Sequence, residues 1–125
     1  MVSLSETIHS VWEQREGPVV FTTVDSQGLP NAIYATCVNK YGDNKIVVAD
    51  NYFNKTRNNI LSGSKGSILF ITHDGKSYQM KGTIEYHEEG DVYKDMKNWN
   101  PNKHPGYAAA VLVINEIYSG AKKLA

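Results

Sequence analysis

The sequence predicts a mainly β fold, a small closed or split barrel of six antiparallel strands with three short helices, forming one domain over residues 1–125. Three observations lead there. Segments rich in β-branched and aromatic residues recur between compact turn signals. Helical spacing of apolar residues surfaces only briefly, so strands dominate. The apolar run "AAAVLVI" at 108–114 is too short to span a bilayer and reads as a strand buried on both faces. A barrel fits these segments better than a sandwich because closure removes exposed strand edges. At 125 residues the chain is long enough to bury about two thirds of its unfolded surface around one core.

The first element is a helix. Ser3 and Glu6 stand in capping-box spacing, Leu4, Ile8, Val11 and Trp12 share one face, and Gly17-Pro18 supplies the stop. Next come the strands "VVFTTV", "NAIYATCV" and "KIVVA", separated by the turns "DSQG" and "NKYGDN". A two-turn helix follows in "NKTRNNILSG", with Asn54 as N-cap and Gly63 as C-terminal glycine. "SILFITH" and "SYQMKGTIEYH" form a further hairpin about "DGK". Behind Asp91 as N-cap, Val92, Met96 and Trp99 recur at helical spacing. The loop "NPNKHPG" then leads to the last strand, "YAAAVLVINEIY".

Charge and cysteine content exclude several functions. Thirteen basic residues balance thirteen acidic ones, so no net field draws the chain to nucleic acid or an anionic membrane. A single cysteine, Cys37, cannot form an internal disulfide, and "MVSLSETIHS" lacks the pattern of a signal peptide, so the expected location is the cytoplasm. The four histidines have no metal-ligand spacing, and no Gly-x-Ser-x-Gly elbow presents a nucleophile, so neither a metal site nor a catalytic side chain is expected.

The segment "NYFNKTRNNI" at 51–60 is the chemical anomaly, with two cations, four asparagines and a threonine in ten positions. At the start of a helix, the Lys55 ammonium and Thr56 hydroxyl add charge and a directional donor to free backbone N–H groups. That combination suits a phosphate monoester, although a lysine there can also be merely solvated. Other readings of these letters are weaker. "NKT" as a glycosylation sequon requires secretion, "KT" as the end of a Walker A motif lacks its glycines, and "SGSK" at 62–65 lacks the partner motifs of penicillin-binding enzymes.

The succession "LPNAIYATCV", "DNKIVVADNYFNKTRNNI", "GSILFITH", "YQMKGTIEYH" and "AAAVLVINEIY" resembles the small members of the pyridoxamine 5'-phosphate oxidase-like, split-barrel FMN-binding family, from about residue 17 to residue 118. Its most specific piece is "IVVAD" followed by Lys55-Thr56 and Asn59. The resemblance implies a homodimer with FMN at the subunit interface and Lys55 and Thr56 on its phosphate. It further implies that Val47, Val48, Ala49 and Asp50 give apolar contacts and backbone hydrogen bonds to the isoalloxazine ring. Asn31 and Ala32 would meet the ring edge, and Asn54 would order the loop or touch the ribityl chain. Tyr107 would reach the partner's flavin, and Gln79 the phosphate or ring. The ending "VINEIYSGAKKLA", with no arginine after Arg57, departs from the tryptophan- and arginine-containing signature of the vitamin-processing oxidases, which argues against pyridoxamine phosphate as substrate. The expected function is a redox flavoprotein with an unidentified electron donor and acceptor. The alternatives are a storage or binding protein for FMN, haem or a deazaflavin, and a cofactor-free interaction module.

Overall fold

Residues 3–125 are described by the computed structural model of the chain. Helix α1, Leu4–Trp12, starts as the sequence predicts, with the Ser3 hydroxyl accepting from the Glu6 N–H at 3.1 Å. It ends at Trp12, ahead of Gly17-Pro18. Arg15 and Glu16 are already extended and paired with Thr72 and Ile71, so tertiary strand pairing overrides the local stop signal. Trp12 is fully buried, edge-on to Phe70 at 5.5 Å, with the Arg15 guanidinium 4.0 Å above its ring.

The strands are β1 (Arg15–Val24), β2 (Pro30–Ala35), β3 (Val38–Tyr41), β4 (Lys45–Asp50), β5 (Lys65–Thr72), β6 (Ser77–His87), β7 (Ala108–Ser119) and β8 (Lys122–Lys123). They form one antiparallel sheet in the order β2-β1-β5-β6-β7-β4-β3, with β8 added on β7. The two edge strands, β2 and β3, are consecutive in the chain. Such an order requires the sheet to curl until its edges approach each other, which gives the split barrel.

Among the described residues eight strands stand where six are expected. "NAIYATCV" is two strands broken at Thr36-Cys37, because its first part pairs with β1 and the rest with β4, and one straight strand cannot serve both edges. The two-residue β8 is too short to carry a sequence signal. The barrel interior holds Phe21, Ile46, Val48, Ile68, Met80 and Leu112 against Ile8 and Trp12 of α1.

Helix α2 (Lys55–Leu61) sits between β4 and β5, and α3 (Asp91–Trp99) lies over β4 and β7, where Val92 and Met96 cover Val47, Ala49, Ala109 and Val111. Strands β4 and β7 are therefore buried on both faces, as the apolar run in β7 predicts. The cap of α3 is Gly90, at φ +90°, and not Asp91, which is the first helical residue and complements the dipole from the first turn. Among the described residues no helix is long and apolar enough to cross a membrane.

A bulge between β6 and β7 shifts the register between Lys81 and Gly82. A Cβ at Gly82 would lie 1.8 Å from the Val113 carbonyl oxygen, which is backbone and cannot swing aside. Gly82→Ala should therefore cost about 2 kcal/mol of stability, the scale of overpacking, read as a lowered denaturant midpoint. An unchanged midpoint would contradict this packing of β6 on β7.

Candidate functional site

Two segments lie side by side near the open edge of the barrel: β2 and the stretch from the end of β4 through α2. They run in opposite directions. At one end the Asn31 amide donates to the Thr56 hydroxyl oxygen at 3.1 Å, and Lys55 stands exposed beside it. Thr56 itself is 1% exposed, and its hydroxyl proton has no acceptor among the described residues. One turn on, the buried Asn59 amide donates to the Thr23 hydroxyl at 3.0 Å, and Thr23 is the register partner of Asn31. The helix start is thus tied to both β1 and β2 by side-chain bonds.

Toward the other end a cavity of about 300 Å³ opens between the same segments. Ile33, Ala35, Thr36 and Cys37 form one wall, and Ala49, Asn51, Tyr52 and Phe53 the other, with His104 at the side. Asn31, Ile33 and Ala35 share one face of β2 by strand alternation. From the Asn31 corner to Ala35 the strand advances about 13 Å at roughly 3.3 Å per residue. The result is a polar, lysine-bearing corner at one end of β2 and a largely apolar slot further along the same strand.

The loop that forms the second wall is held from beneath. Asp50 is fully buried and receives two hydrogen bonds from Arg57, at 2.7 and 2.9 Å, one from the Tyr86 hydroxyl at 2.6 Å and one from the Phe53 N–H at 3.1 Å. The Arg57 guanidinium is held more firmly protonated by the hydrogen bond to Asp50. Burial and the bond to Asp50 push the Tyr86 phenol up to about 12. A second lock is the reciprocal amide pair Asn51–Asn100, at 3.2 and 2.8 Å, with the Gly106 N–H donating to the Asn51 amide oxygen at 3.0 Å. Gly106 is at φ +53°, and a Cβ there would come within 2.9 Å of the Asn100 amide nitrogen.

The Tyr86 phenol predicts an alkaline signature. A pKa raised in the folded state means that the protonated phenol is favoured by folding, so its contribution is complete below pH 10, the ordinary tyrosine value, and is lost as pH rises toward 12. Tyr86→Phe should flatten the fall in stability between pH 10 and 12 relative to the parent chain. Parallel denaturation curves for the two proteins across that window would contradict the Tyr86–Asp50 bond.

The sequence-predicted residues fall into distinct places. Asn31, Lys55 and Thr56 come together at the polar corner, and Ala49 lines the cavity. Val48 is sealed in the barrel core, and Val47 lies under α3, so neither side chain lines the slot. The Asp50 carboxylate is consumed by Arg57 and Tyr86, while its carbonyl accepts from the Tyr107 N–H at 2.9 Å. Asn54 occupies the cap position of α2, but its exposed side chain makes no cap hydrogen bond. Ala32 turns to the outer face of the sheet. Gln79 reaches the Ser67 hydroxyl at 3.4 Å in a separate outer groove with Thr22 and Lys81. Tyr107 is 59% exposed, with the Arg57 guanidinium 5.5 Å from its ring.

Sequence reasoning missed the Asp50–Arg57–Tyr86 cluster, the Asn51–Asn100 pair and the Tyr52–His104 contact, where hydroxyl and Nδ1 are 3.1 Å apart. The signal that could have found the first is an arginine seven residues beyond a carboxylate that ends a buried strand, in the first turn of the helix that follows. Among the described residues no three His, Cys, Asp or Glu side chains converge as a metal site would require.

Comparison with known proteins agrees with this architecture. The family model described as Pyridoxamine 5'-phosphate oxidase matches residues 4–119. The uncharacterized protein MJ0282 of Methanocaldococcus jannaschii is 33% identical over 111 residues, a match covering 83% of this chain and 74% of that protein. Solved structures share the fold, and two illustrate it. HupZ of Group A Streptococcus has a TM-score of 0.81 at 22% identity, covering 100% of this chain and 99% of its own. An FMN-binding protein of Syntrophomonas wolfei subsp. wolfei has a TM-score of 0.78 at 21% identity, covering 93% and 85%. With a family match over nearly its whole length and a relative at one third identity, the chain belongs to the pyridoxamine 5'-phosphate oxidase-like family of split-barrel proteins.

Proposed function

We propose that this protein is a redox flavoprotein that binds FMN, as a homodimer with the cofactor near the subunit interface. The observation that carries the reading is the placement of the Asn31–Thr56–Lys55 corner and the apolar slot at successive positions along one strand. FMN has the matching shape: a phosphate at one end, a flat ring at the other and a polyol chain between them. The residues present fit that group. The Thr56 hydroxyl, with its oxygen accepting from Asn31, keeps its proton for a phosphate acceptor, and the Lys55 ammonium supplies charge. Ile33, Ala35, Ala49 and Phe53 offer apolar surface to a ring, and the Asn51 and Asp50 locks keep the loop from collapsing into the slot. Family membership, and the likeness in fold to the FMN-binding protein of Syntrophomonas wolfei, support the same cofactor.

Bound flavin would supply the electron-transfer chemistry. Lys55 and Thr56 would hold the phosphate, and Ile33, Ala35 and Phe53 would pack against the ring. The exposed Tyr107, anchored to the Asp50 carbonyl through its N–H, is suited to reach a second subunit's site. No side chain is assigned as acid or base.

Anaerobic titration separates this reading from a storage protein. The proposal expects bound flavin to bleach with a reduced nicotinamide or dithionite and to recover its colour with a quinone acceptor at a rate faster than free FMN under the same conditions. A bound flavin that exchanges electrons no faster than free FMN would favour storage.

A further inference from the structure

We infer that Asp50 is a positioning residue for phosphate recognition: its carboxylate fixes both flanks of the Lys55–Thr56 pair, so that the two donors are in place before a ligand arrives. The inference rests on reading the slot as the flavin site, with Lys55 and Thr56 on the phosphate. Asp50 makes no hydrogen bond to either donor, and its side chain, 0% exposed, is out of a ligand's reach. Its effect on a phosphate is therefore exerted through its neighbours.

The bonds bracket the pair. On one flank the Phe53 N–H donates to Asp50 Oδ1 at 3.1 Å, and on the other Arg57 donates through Nε to Oδ2 at 2.7 Å and through Nη2 to Oδ1 at 2.9 Å. Only Asn54 separates Phe53 from Lys55, and Arg57 follows Thr56 directly. The carboxylate is itself tied to the sheet. Asp50 ends β4, paired there with Ala108 of β7, and the Tyr86 hydroxyl, from β6 on the other side of β7, donates to Oδ2 at 2.6 Å. Three neighbouring strands thus hold the group from which the segment hangs. Asn54 and Lys55 are exposed, and Lys55 makes no salt bridge among the described residues, so the Asp50 bonds on either side are what order its backbone. A segment that must be ordered at the moment of binding weakens the complex, and one ordered beforehand does not.

A role exerted through charge alone has the opposite sign. A carboxylate repels a phosphate, so neutralising Asp50 would then tighten FMN binding, while neutralising Arg57 would weaken it. Positioning makes both changes weaken it.

The test compares Asp50→Asn, Arg57→Gln and the uncharged change Tyr86→Phe with the parent in titrations with FMN and with riboflavin, at a temperature where circular dichroism shows each variant folded. The inference expects FMN affinity to fall about tenfold in Asp50→Asn and Arg57→Gln and about threefold in Tyr86→Phe, with riboflavin affinity within about twofold of the parent throughout. Tighter or unchanged FMN binding in Asp50→Asn would overturn it. So would equal losses for FMN and riboflavin, the result of a lock that merely keeps the whole slot folded. If Asp50→Asn does not fold, Tyr86→Phe decides, because it alters the same carboxylate without changing any charge: a loss confined to FMN supports the inference, and unchanged FMN binding overturns it. A parent chain that takes up neither flavin would overturn the flavin reading and the role of Asp50 with it, whereas a parent that binds FMN no better than the variants would overturn the role of Asp50 alone.

Discussion

Arg57→Ala should remove about 3–5 kcal/mol of stability, the largest effect expected of any single change outside the hydrophobic core. The reason is asymmetry of burial. The Asp50 side chain is 0% exposed and that of Arg57 is 32% exposed, so removing the arginine strands a carboxylate that water cannot reach. Only the Tyr86 hydroxyl and the Phe53 N–H would remain to it. Asp50→Ala should cost less, about 3 kcal/mol, because the freed guanidinium can turn to solvent. The two losses should not add, since either one breaks the same bond.

Removing the charge as well identifies the cause. Asp50→Asn placed in the Arg57→Ala background should recover part of the loss, because the amide leaves no uncompensated charge in the buried site. No recovery would mean that lost packing, and not a stranded charge, explains the effect.

The second large effect falls on ligand affinity. Lys55→Ala should weaken FMN binding by about 1.5–3 kcal/mol, the scale of a charge-assisted hydrogen bond, while leaving riboflavin binding much less affected. Lys55 is exposed and makes no salt bridge among the described residues, so its removal should leave folding stability nearly unchanged. Titrations of the two ligands into the two proteins give the comparison directly. Equal losses for FMN and riboflavin would place the lysine away from the phosphate.

The sequence carried the architecture because its signals were local and repeated. Alternation and turn residues mark β1, β5 and β6, the Ser3 cap marks α1, and the apolar run marks β7 as doubly buried. What it did not carry depends on contacts between distant residues. The break at Thr36-Cys37 exists because the sheet's two edges meet there, which no property of "ATCV" announces. The end of α1 is decided by pairing with β5, more than fifty residues away in sequence.

The site divides in the same way. Lys55 and Thr56 were legible from a helix start with cations and donors, and Asn31 from resemblance alone, whereas the bond that joins Asn31 to Thr56 spans 25 residues. Val47 and Val48 looked like ring contacts because a strand leading into an anchor loop is expected to face the ligand. The structure instead spends both on packing, one on each face of a doubly buried strand, while Ala49, packed under α3 beside Val47, also borders the slot. Asp50 looked like part of the same run and proved to be the foundation of the loop.

The most direct test of the flavin reading is the visible absorbance of the protein purified without added cofactor, followed by denaturation and identification of the released ligand. The account predicts twin flavin bands and an equimolar release of FMN, or stoichiometric uptake of added FMN by a colourless preparation. A protein that is colourless and fails to take up FMN would contradict it.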